Sequence, residues 1–226
     1  EKIKNIAQKY DLKIIEDAAQ AIGSELDNKK PGHYSDFATF STHPLKILNG
    51  IGDGGFLTSN DKEACDKINK YRNHGIESRD NYEFYGVNSR MDALSASVVN
   101  YRLGKIKSLI EKRKRNIDLY KSNIKTKNFR FIEHKKNEIE SHTMLVSFAE
   151  DRDGLQKYLS EHDIQSLVYY GTPLHLQNAS KKHGYKKGDF PNAEYLCDRV
   201  ISLPFHQYLE EEEILLVSDM VNKFYA

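Results

Sequence analysis

Helical and strand-like patterns alternate along the N-terminal part of the chain. Apolar residues recur with a helical period over the first ten residues, and an apolar run at Leu12 to Ile15 then ends at Glu16 and Asp17. A helix that leads into a buried strand is the order typical of a largely parallel sheet. Alternation predicts a further strand over Asp36 to Ser41, and the segment from Gly54 to Asn60 predicts another.

The remainder of the chain contains longer helical patterns. A helix is expected from Asp61, and a helical stretch runs from about Met91 to Tyr120, interrupted only by Gly104. A smaller α+β unit follows. Its predicted strands are Met144 to Phe148 and Gln165 to Tyr169, and its predicted helices are Asp151 to His162, Asn192 to Val200 and Glu210 to Phe224. We therefore expect an α/β protein with part of a large, mainly parallel-sheet domain over residues 1–110 and a small α+β domain over residues 111–226.

Charge and hydropathy exclude several classes of function. The 34 Lys and Arg residues against 33 Asp and Glu residues leave a formal charge of +1, so no net field attracts the chain to a polyanion. The basic run at Glu111 to Arg115 lacks interleaved aromatic residues and is interpreted as a solvated helix face. The longest aliphatic run, Ile214 to Val217, is far shorter than the roughly 20 residues of a membrane helix. With no signal-peptide pattern at the start, we expect a cytoplasmic protein that binds neither nucleic acid nor membrane.

Metal and disulfide chemistry are not expected either. The chain has two cysteines, Cys65 and Cys197, in unrelated contexts, and its nine histidines form no HExxH motif. Two separate cysteines support neither a disulfide framework nor a thiolate metal site.

The segment GIGDGG at Gly50 to Gly55 matches the literal GxGxxG pattern of dinucleotide sites. That fingerprint needs a preceding strand and a following helix, whose N-terminus faces the pyrophosphate. Here a loop containing Pro44 precedes the glycines and a predicted strand follows them. We therefore interpret them as a tight backbone that lets a bound group approach closely and holds the preceding loop in place.

Three residues near predicted strand ends carry candidate chemistry. Asp17 ends a predicted buried strand, where an ionised carboxylate is costly unless it meets a cation. Lys46 lies in a loop among apolar residues, and partial desolvation there would favour its nucleophilic amine. Ser41 offers a hydroxyl at a strand end. An amine for an aldehyde, a carboxylate for a ring nitrogen and a hydroxyl for a phosphate are what pyridoxal phosphate requires, although each residue alone also fits an ordinary surface or turn role.

Five segments together resemble a known family. They are IIEDAAQA at Ile14 to Ala21, FSTHPLKILNGIGDGG at Phe40 to Gly55, YRNHG at Tyr71 to Gly75, GVNSRMDALSA at Gly86 to Ala96 and PLHLQ at Pro173 to Gln177. In this order they resemble the nucleotide-sugar aminotransferases of the DegT/DnrJ/EryC1/StrS group, which are fold-type-I pyridoxal-phosphate enzymes. The resemblance implies a PLP-dependent transferase-like fold, with residues 1–110 in the cofactor-binding domain.

The resemblance also implies roles for individual residues. Lys46 corresponds to the lysine that bonds the cofactor's aldehyde and moves the proton between the substrate's alpha carbon and the cofactor. Asp17 corresponds to the partner of the pyridine nitrogen, Gln20 to the residue that reaches the ring hydroxyl, and Ser41 to a phosphate ligand. Asn88 resembles an asparagine that reaches the phosphate of the neighbouring subunit, which implies a homodimer.

Two further residues are candidates for substrate contacts. Arg90 would bind a carboxylate of the substrate or amino donor, or else cap a helix at the surface. His175 would line the sugar-nucleotide cleft, or else be a structural histidine beside Pro173. One branch of the family has histidine in place of the lysine and dehydrates or deoxygenates sugars, so Lys46 indicates the aminotransferase branch.

The expected function is transamination of a keto group on a nucleotide-linked deoxysugar, with glutamate as amino donor, in the synthesis of cell-surface polysaccharide or related glycans. The resemblance implies that the chain covers somewhat more than the C-terminal half of a family member. Part of the phosphate cradle and the aromatic residue stacked on the ring would then lie outside it. Two alternatives stay open: an inactive remnant or subunit of such an enzyme, and a phosphate-ligand binding module without pyridoxal chemistry, in which Lys46→Ala leaves affinity intact.

Overall fold

The chain forms two compact units. The computed structural model describes residues 1–226. The first unit contains Glu1–Ile110 together with His134–Thr143, and the second contains Glu111–Glu133 together with Met144–Ala226. None of the helices has the length and apolar character that crossing a bilayer would demand.

Seven α-helices and ten short strands make up the regular structure. The helices are α1 (Lys2–Lys9), α2 (Lys62–Tyr71), α3 (Ala93–Leu103), α4 (Ile106–Asn123), α5 (Arg152–Glu161), α6 (Pro191–Cys197) and α7 (Glu211–Phe224), with 3₁₀ turns at Leu174–Leu176 and Asn178–His183. The strands are β1 (Ile15–Asp17), β2 (Glu25–Leu26), β3 (Phe37–Ser41), β4 (Gly55–Ser59), β5 (Ile76–Ser78), β6 (Asn81–Tyr82), β7 (Phe129–Phe131), β8 (Glu138–Ile139), β9 (Val146–Ala149) and β10 (Val200–Ser202).

The main sheet of the first unit has the order β1-β3-β4. Strand β1 runs parallel to β3, and β4 returns antiparallel to β3 over five residue pairs. Two small antiparallel pairs, β2 with β8 and β5 with β6, complete the unit. The predicted strands at residues 36–41 and 54–60 therefore form, and the sheet contains both a parallel and an antiparallel pairing.

Helix starts follow the side chains that can cap them. The Asp61 carboxylate accepts from the Ala64 N–H at the start of α2, and the Asp92 carboxylate does the same for Ser95 at the start of α3. At α7, Glu210 forms a capping box with the third residue of the helix. These local signals explain why the helix starts agree with those expected from the sequence.

The second unit is an α+β unit around one apolar core. Its sheet has the order β10-β9-β7, with all pairings antiparallel. Tyr120 of α4 is fully buried in this core, and its hydroxyl donates to the Pro204 carbonyl at 2.8 Å. The other members of the core are Ile117, Ile124, Phe129, Leu145, Ala149, Leu155, Leu159, Ile164, Ile201, Leu203, Leu209, Ile214, Val217 and Val221.

The expectation of a buried strand at Leu12 to Ile15 is wrong for this structure. The strand begins at Ile15, which is 70% exposed, and Leu12 is 58% exposed. The reason is that β1 has a neighbouring strand on one side only, namely β3. An apolar run predicts that a strand is suited to burial, but burial also needs a second element against it.

Three other expectations need correction. The helical stretch from Met91 to Tyr120 is two helices, because the chain turns at Gly104 between α3 and α4. The strand expected at residues 165–169 is reduced to one bridge between Leu167 and Ser202. The helix expected to end at Val200 stops at Cys197, so that Val200 begins β10 instead.

The basic run on α4 is only partly a solvated face. Arg113 is buried, and its guanidinium donates to the Gln207 side chain at 3.0 Å and stacks on the Phe205 ring. Burial lowers the pKa of Arg113 from its usual value. The neighbouring Arg115 pairs with Glu211 at the surface, 2.8 Å away. Helical periodicity therefore turns one guanidinium of the run toward the interior of the second unit.

Candidate functional site

Two of the chemistry-bearing segments meet at one edge of the main sheet. Because β1 and β3 run parallel, their carboxyl ends lie side by side. Asp17, the last residue of β1, pairs with Thr39, and Ser41 ends β3 two residues further on. At roughly 3.3 Å per residue, Ser41 is about 7 Å beyond Asp17 along the strand direction. The candidate carboxylate and hydroxyl are thus brought to the edge where open α/β sheets bind ligands.

Lys46 lies in the loop that follows β3. The base of this loop is closed by a backbone hydrogen bond from the Thr42 N–H to the Gly54 carbonyl, 2.8 Å long. Ile47 and Leu48 are buried beside Lys46, whereas the Lys46 side chain is half-buried and takes part in no hydrogen bond or ion pair. An amine in this position is available for reaction with an electrophile.

Asp17 is more open to solvent than the sequence led us to expect. Its side chain is exposed because β1 is an edge strand, and one carboxylate oxygen accepts from the Ala19 N–H at 3.0 Å. The other oxygen has no partner within the chain and is free to accept a donor such as a protonated ring nitrogen. The Gln20 side chain, three residues on, is also exposed and unpaired.

Ser41 has the hydrogen-bonding capacity that a phosphate ligand needs. Its half-buried hydroxyl oxygen accepts from the His43 N–H at 3.2 Å, so the hydroxyl proton remains for an oxygen acceptor. The next residue, Thr42, is fully buried, and its hydroxyl has no hydrogen-bond partner. The amine, carboxylate and hydroxyl present on this chain therefore fit part of the donor set that pyridoxal phosphate requires, at its aldehyde, ring nitrogen and phosphate.

The glycines after the loop allow close backbone approaches. A Cβ on Gly55 would lie 2.5 Å from the Phe40 carbonyl oxygen, and a Cβ on Gly50 would lie 2.5 Å from the Ser95 hydroxyl. A Cβ on Gly52 would meet no atom within 4 Å. The segment leads into β4 rather than into a helix, so the context of a dinucleotide fingerprint is missing, as expected. Gly50 and Gly55 hold the loop closely packed, whereas Gly52 does not.

Asn88 and Arg90 line a cleft of the first unit. The Asn88 side-chain oxygen accepts from Arg90 Nε at 3.1 Å, and Arg90 also donates to the Asn73 side chain at 3.1 Å. Both residues line a cleft of about 980 Å³ that does not include Asp17, Gln20, Ser41 or Lys46. The cleft is also lined by Thr39 and Phe40 of β3, the strand that Ser41 ends.

His175, in the second unit, is engaged within the protein. Its side chain is 8% exposed, and its Nε2 lies 3.0 Å from the Glu194 carboxylate. The ring also packs on Phe190. A hydrogen bond from the Gly188 N–H, followed by the one from His175, holds the pKa of Glu194 below its usual value. The His175 ring is thus held by Glu194 on one side and by Phe190 on another.

Sequence reasoning missed two residues that support the site. His43 Nδ1 accepts from the Leu45 N–H at 3.1 Å and thereby shapes the loop just before Lys46. Glu16, in β1, accepts from the Gly32 N–H at 2.6 Å and ties the strand to the turn that precedes β3. Each lies inside a motif segment, but which backbone group it would meet depends on chain folding that no local pattern reports.

Comparison with known proteins identifies similar sequences and structures. Residues 1–222 match the DegT/DnrJ/EryC1/StrS aminotransferase family. The chain is 34% identical over 224 residues to dTDP-3-amino-3,6-dideoxy-alpha-D-galactopyranose transaminase of Aneurinibacillus thermoaerophilus, covering 99% of this chain and 61% of that protein. This chain thus spans about three fifths of the length of the relatives it matches.

Two solved structures extend the similarity to the fold. DesV of S. venezuelae, in complex with a ketimine intermediate, superposes with a TM-score of 0.92 at 30% identity, covering 98% of this chain and 60% of that one. A family aminotransferase from Brucella abortus has a TM-score of 0.91 at 33% identity, covering 99% and 60%. The PLP-dependent transferase fold expected from the sequence is confirmed, for part of its large domain and for the small α+β portion. The chain belongs to the DegT/DnrJ/EryC1/StrS family of pyridoxal-phosphate-dependent aminotransferases.

Proposed function

We propose that this chain belongs to a pyridoxal-phosphate-dependent aminotransferase that converts a nucleotide-linked keto-deoxysugar to the amino sugar, with glutamate as amino donor. The observation that carries the proposal is the meeting of the strand ends that hold Asp17 and Ser41, with the unpaired Lys46 amine in the loop that follows. When bound, the cofactor supplies an electron sink that lowers the cost of removing a proton from the alpha carbon.

Each residue at the strand ends then has a separate task. Lys46 would bond the cofactor's aldehyde and, once displaced by substrate, would carry the proton to and from the alpha carbon. Asp17 would keep the ring nitrogen protonated through the carboxylate oxygen that has no partner in the chain. Gln20 would bind the ring hydroxyl, and Ser41 would donate its remaining proton to a phosphate oxygen.

Asn88 and Arg90 would act on the active site of a second subunit in a homodimer. This part of the proposal is supported by the cleft that they line, whose lining does not include Lys46. It is also supported by the Asn88 amide nitrogen, which remains free to donate while the side-chain oxygen accepts from Arg90. Arg90 would bind a carboxylate of the amino donor. His175 would reach the sugar-nucleotide cleft only in an arrangement that releases it from Glu194.

The wider setting follows from the same assignment. The related A. thermoaerophilus protein is named as a transaminase of a dTDP-linked amino sugar. We propose a cytoplasmic enzyme that makes an amino sugar for cell-surface polysaccharide or a related glycan, and that requires neither nucleic acid, membrane nor metal.

The test is covalent trapping of the cofactor. Pyridoxal phosphate is added to this chain and to a longer protein in which the N-terminal two fifths of a relative precede it. A visible absorbance band that borohydride removes, with the reduced label mapped to Lys46 and lost in Lys46→Ala, supports the proposal. Lys105→Ala is a matched control, because Lys105 lies in the same unit but contacts Tyr101 rather than the loop.

The outcomes separate the alternatives. A band in the longer protein only would support an inactive piece of such an enzyme, which the exposure of Asp17 favours. Absence of a band in both proteins would refute the aminotransferase proposal. A phosphate-binding module would be supported instead if the unmodified proteins show no band and Lys46→Ala binds the cofactor's phosphate group with unchanged affinity.

Assembly in trans is tested by mixing two inactive variants of the longer protein, Lys46→Ala and Asn88→Ala. In a random mixture about half of the dimers carry one intact site, so activity should recover to about a quarter of the unmodified value. The spectral change on adding glutamate measures this without a sugar substrate. No recovery above the separate variants would contradict the shared site.

A further inference from the structure

A short segment far along the chain packs against the turn that follows Asp17. Residues 134–143, which we call the strap, belong to the first unit, although the residues on both sides of them belong to the second. Strand β8 of the strap pairs with β2, and the Asn137 side chain donates to the Asp27 carboxylate at 2.7 Å. The strap is thus attached along the segment that leads away from the candidate site.

The strap makes its most specific contact at Gln20. The Ser141 and Thr143 hydroxyls both donate to the Gln20 carbonyl oxygen, each at 3.0 Å. Ser141 is 1% exposed, so its hydrogen bond is shielded from water. Both lone pairs of one carbonyl are therefore satisfied from the strap, which fixes the Gln20 peptide plane and limits the directions open to its exposed side chain.

Close packing around this turn leaves little room for rearrangement. Gly23 has a φ of +85°, and a Cβ there would lie 2.2 Å from Ile110 Cδ1 and 4.0 Å from the Ser141 side chain. Gly23 permits the positive φ of this turn, and its close packing against Ile110 leaves the turn little room to rearrange.

A carboxylate and two imidazole rings lie close together within the strap. One Glu140 oxygen lies 2.7 Å from His134 Nε2 and 3.3 Å from His142 Nδ1. Burial tends to raise the pKa of Glu140, but the interactions with His142 and His134 outweigh it and keep that pKa below its usual value. The ionised carboxylate between two imidazoles holds both ends of the segment that contains Ser141.

We propose that Ser141 and Thr143 are positioning residues for the cofactor site, because they fix the Gln20 carbonyl and with it the turn from Asp17 to Gln20. The inference rests on the proposed function, in which the Gln20 side chain binds the ring hydroxyl of the cofactor. Ser141 and Thr143, which lie 121 and 123 positions after Gln20, would then affect the cofactor through Gln20 without contacting it.

The test compares Thr143→Val, which removes the hydroxyl but keeps the shape, with Thr143→Ser, which keeps the hydroxyl. Ser141→Ala is the second variant, and Ser122→Ala is its control, because the Ser122 hydroxyl bonds a carbonyl within α4 only. Two quantities are measured: amide hydrogen exchange of residues 17–24, and the affinity and absorbance band of pyridoxal phosphate in the protein that forms the Lys46 band.

We expect Thr143→Val and Ser141→Ala to speed exchange in residues 17–24 and to weaken cofactor binding about threefold to tenfold, the effect of one neutral hydrogen bond. The band should also shift, because the Gln20 contact to the ring hydroxyl is altered. Thr143→Ser and Ser122→Ala should resemble the unmodified protein in both measurements.

Any one of the following results would overturn the inference. Unchanged exchange and unchanged affinity in Thr143→Val and Ser141→Ala would remove its basis. Equal effects of Thr143→Val and Thr143→Ser would show that the hydroxyl is not responsible. Faster exchange with an unchanged cofactor band would leave the strap a structural element only. Absence of any band in both this chain and the longer protein would instead refute the proposed function, and the positioning role with it.

Discussion

Two glycines of the GIGDGG segment provide a matched test of how the candidate site is built. At Gly55 a Cβ would lie 2.5 Å from the Phe40 carbonyl oxygen, whereas an ordinary contact begins at 3.4 Å. The obstacle is backbone rather than a flexible side chain, so alanine would force β3 and β4 apart locally by about 0.9 Å. At Gly52 a Cβ would meet nothing within 4 Å, and the backbone is not in the left-handed region.

Both alanine variants restrict the unfolded chain, but only Gly55→Ala crowds the folded structure. Replacing glycine by alanine stabilises a compatible site by about 0.4–1 kcal/mol through the unfolded chain. At Gly55 the overpacking destabilises the folded protein by about 1–3 kcal/mol, which opposes that gain. Because the effect on the unfolded chain is common to both, Gly55→Ala should be less stable than Gly52→Ala by about 1–3 kcal/mol. Ser41 pairs with Gly55 in the register, so cofactor affinity should also fall in Gly55→Ala but not in Gly52→Ala.

Amide hydrogen exchange over residues 37–59 is the appropriate assay. Two compact units need not unfold in a single transition, so a global denaturation curve would not isolate the β3 and β4 pairing. Equal protection of these strands in Gly55→Ala and Gly52→Ala would refute the interpretation that Gly55 is required by a close backbone approach.

Two further predictions concern stability. Tyr120→Phe leaves the Pro204 carbonyl without its donor and should lower the unfolding free energy of the second unit by about 1–3 kcal/mol in urea, while the exposed Tyr170→Phe should have little effect. The Ile14 N–H donates to the Asp36 carboxylate at 2.8 Å and holds the pKa of Asp36 below its usual value. Ionised Asp36 therefore stabilises the fold fully above its unfolded pKa of about 3.9. This stabilisation is lost as the pH falls through the lower pKa of the folded state. The melting temperatures of Asp36→Asn and the unmodified protein should therefore converge at low pH and differ at pH 7, whereas Asp66→Asn should behave like the unmodified protein at both.

Local signals in the sequence were sufficient for much of the fold. The capping aspartates Asp61 and Asp92 and the alternation at residues 37–41 each act through neighbours a few residues away, so a pattern can report them. The sequence pattern predicts one helical stretch across Gly104, whereas the structure has two helices, α3 and α4. Helical periodicity continues across it in the sequence, although glycine is one of the least favourable residues within a helix.

Long-range contacts account for what the sequence did not reveal. The strap meets Gln20 across 121 and 123 residues, and no periodicity links Ser141 and Thr143 to that carbonyl. The exposure of β1 is a similar case, because the run at Leu12 to Ile15 indicates suitability for burial but not the number of neighbouring strands. The candidate chemistry was predictable where residue type and strand position were enough, as for Asp17 and Ser41.

The exposure of Asp17 leads to a final prediction about how strongly this chain binds the cofactor. An ion pair between solvent-exposed groups contributes about 0.2–1 kcal/mol, which is at most about fivefold in affinity. Asp17→Asn should therefore weaken pyridoxal phosphate binding no more than about fivefold in this chain alone. A strand that the N-terminal part of the longer protein adds along the open side of β1 would shield the pair from water.

Losing one partner of such a shielded pair costs several kcal/mol, about 3–5 in buried examples, because the other charge is left unpaired. Asp17→Asn should then reduce affinity at least a hundredfold in the longer protein, as measured by titration of the visible band. The Ala19 N–H donates to the Asp17 carboxylate, and the side-chain oxygen of asparagine can accept the same hydrogen bond. The turn itself should therefore be preserved in Asp17→Asn. Equal losses in the two proteins would contradict this reasoning, because they would mean that solvent access at β1 does not set the strength of the Asp17 contact.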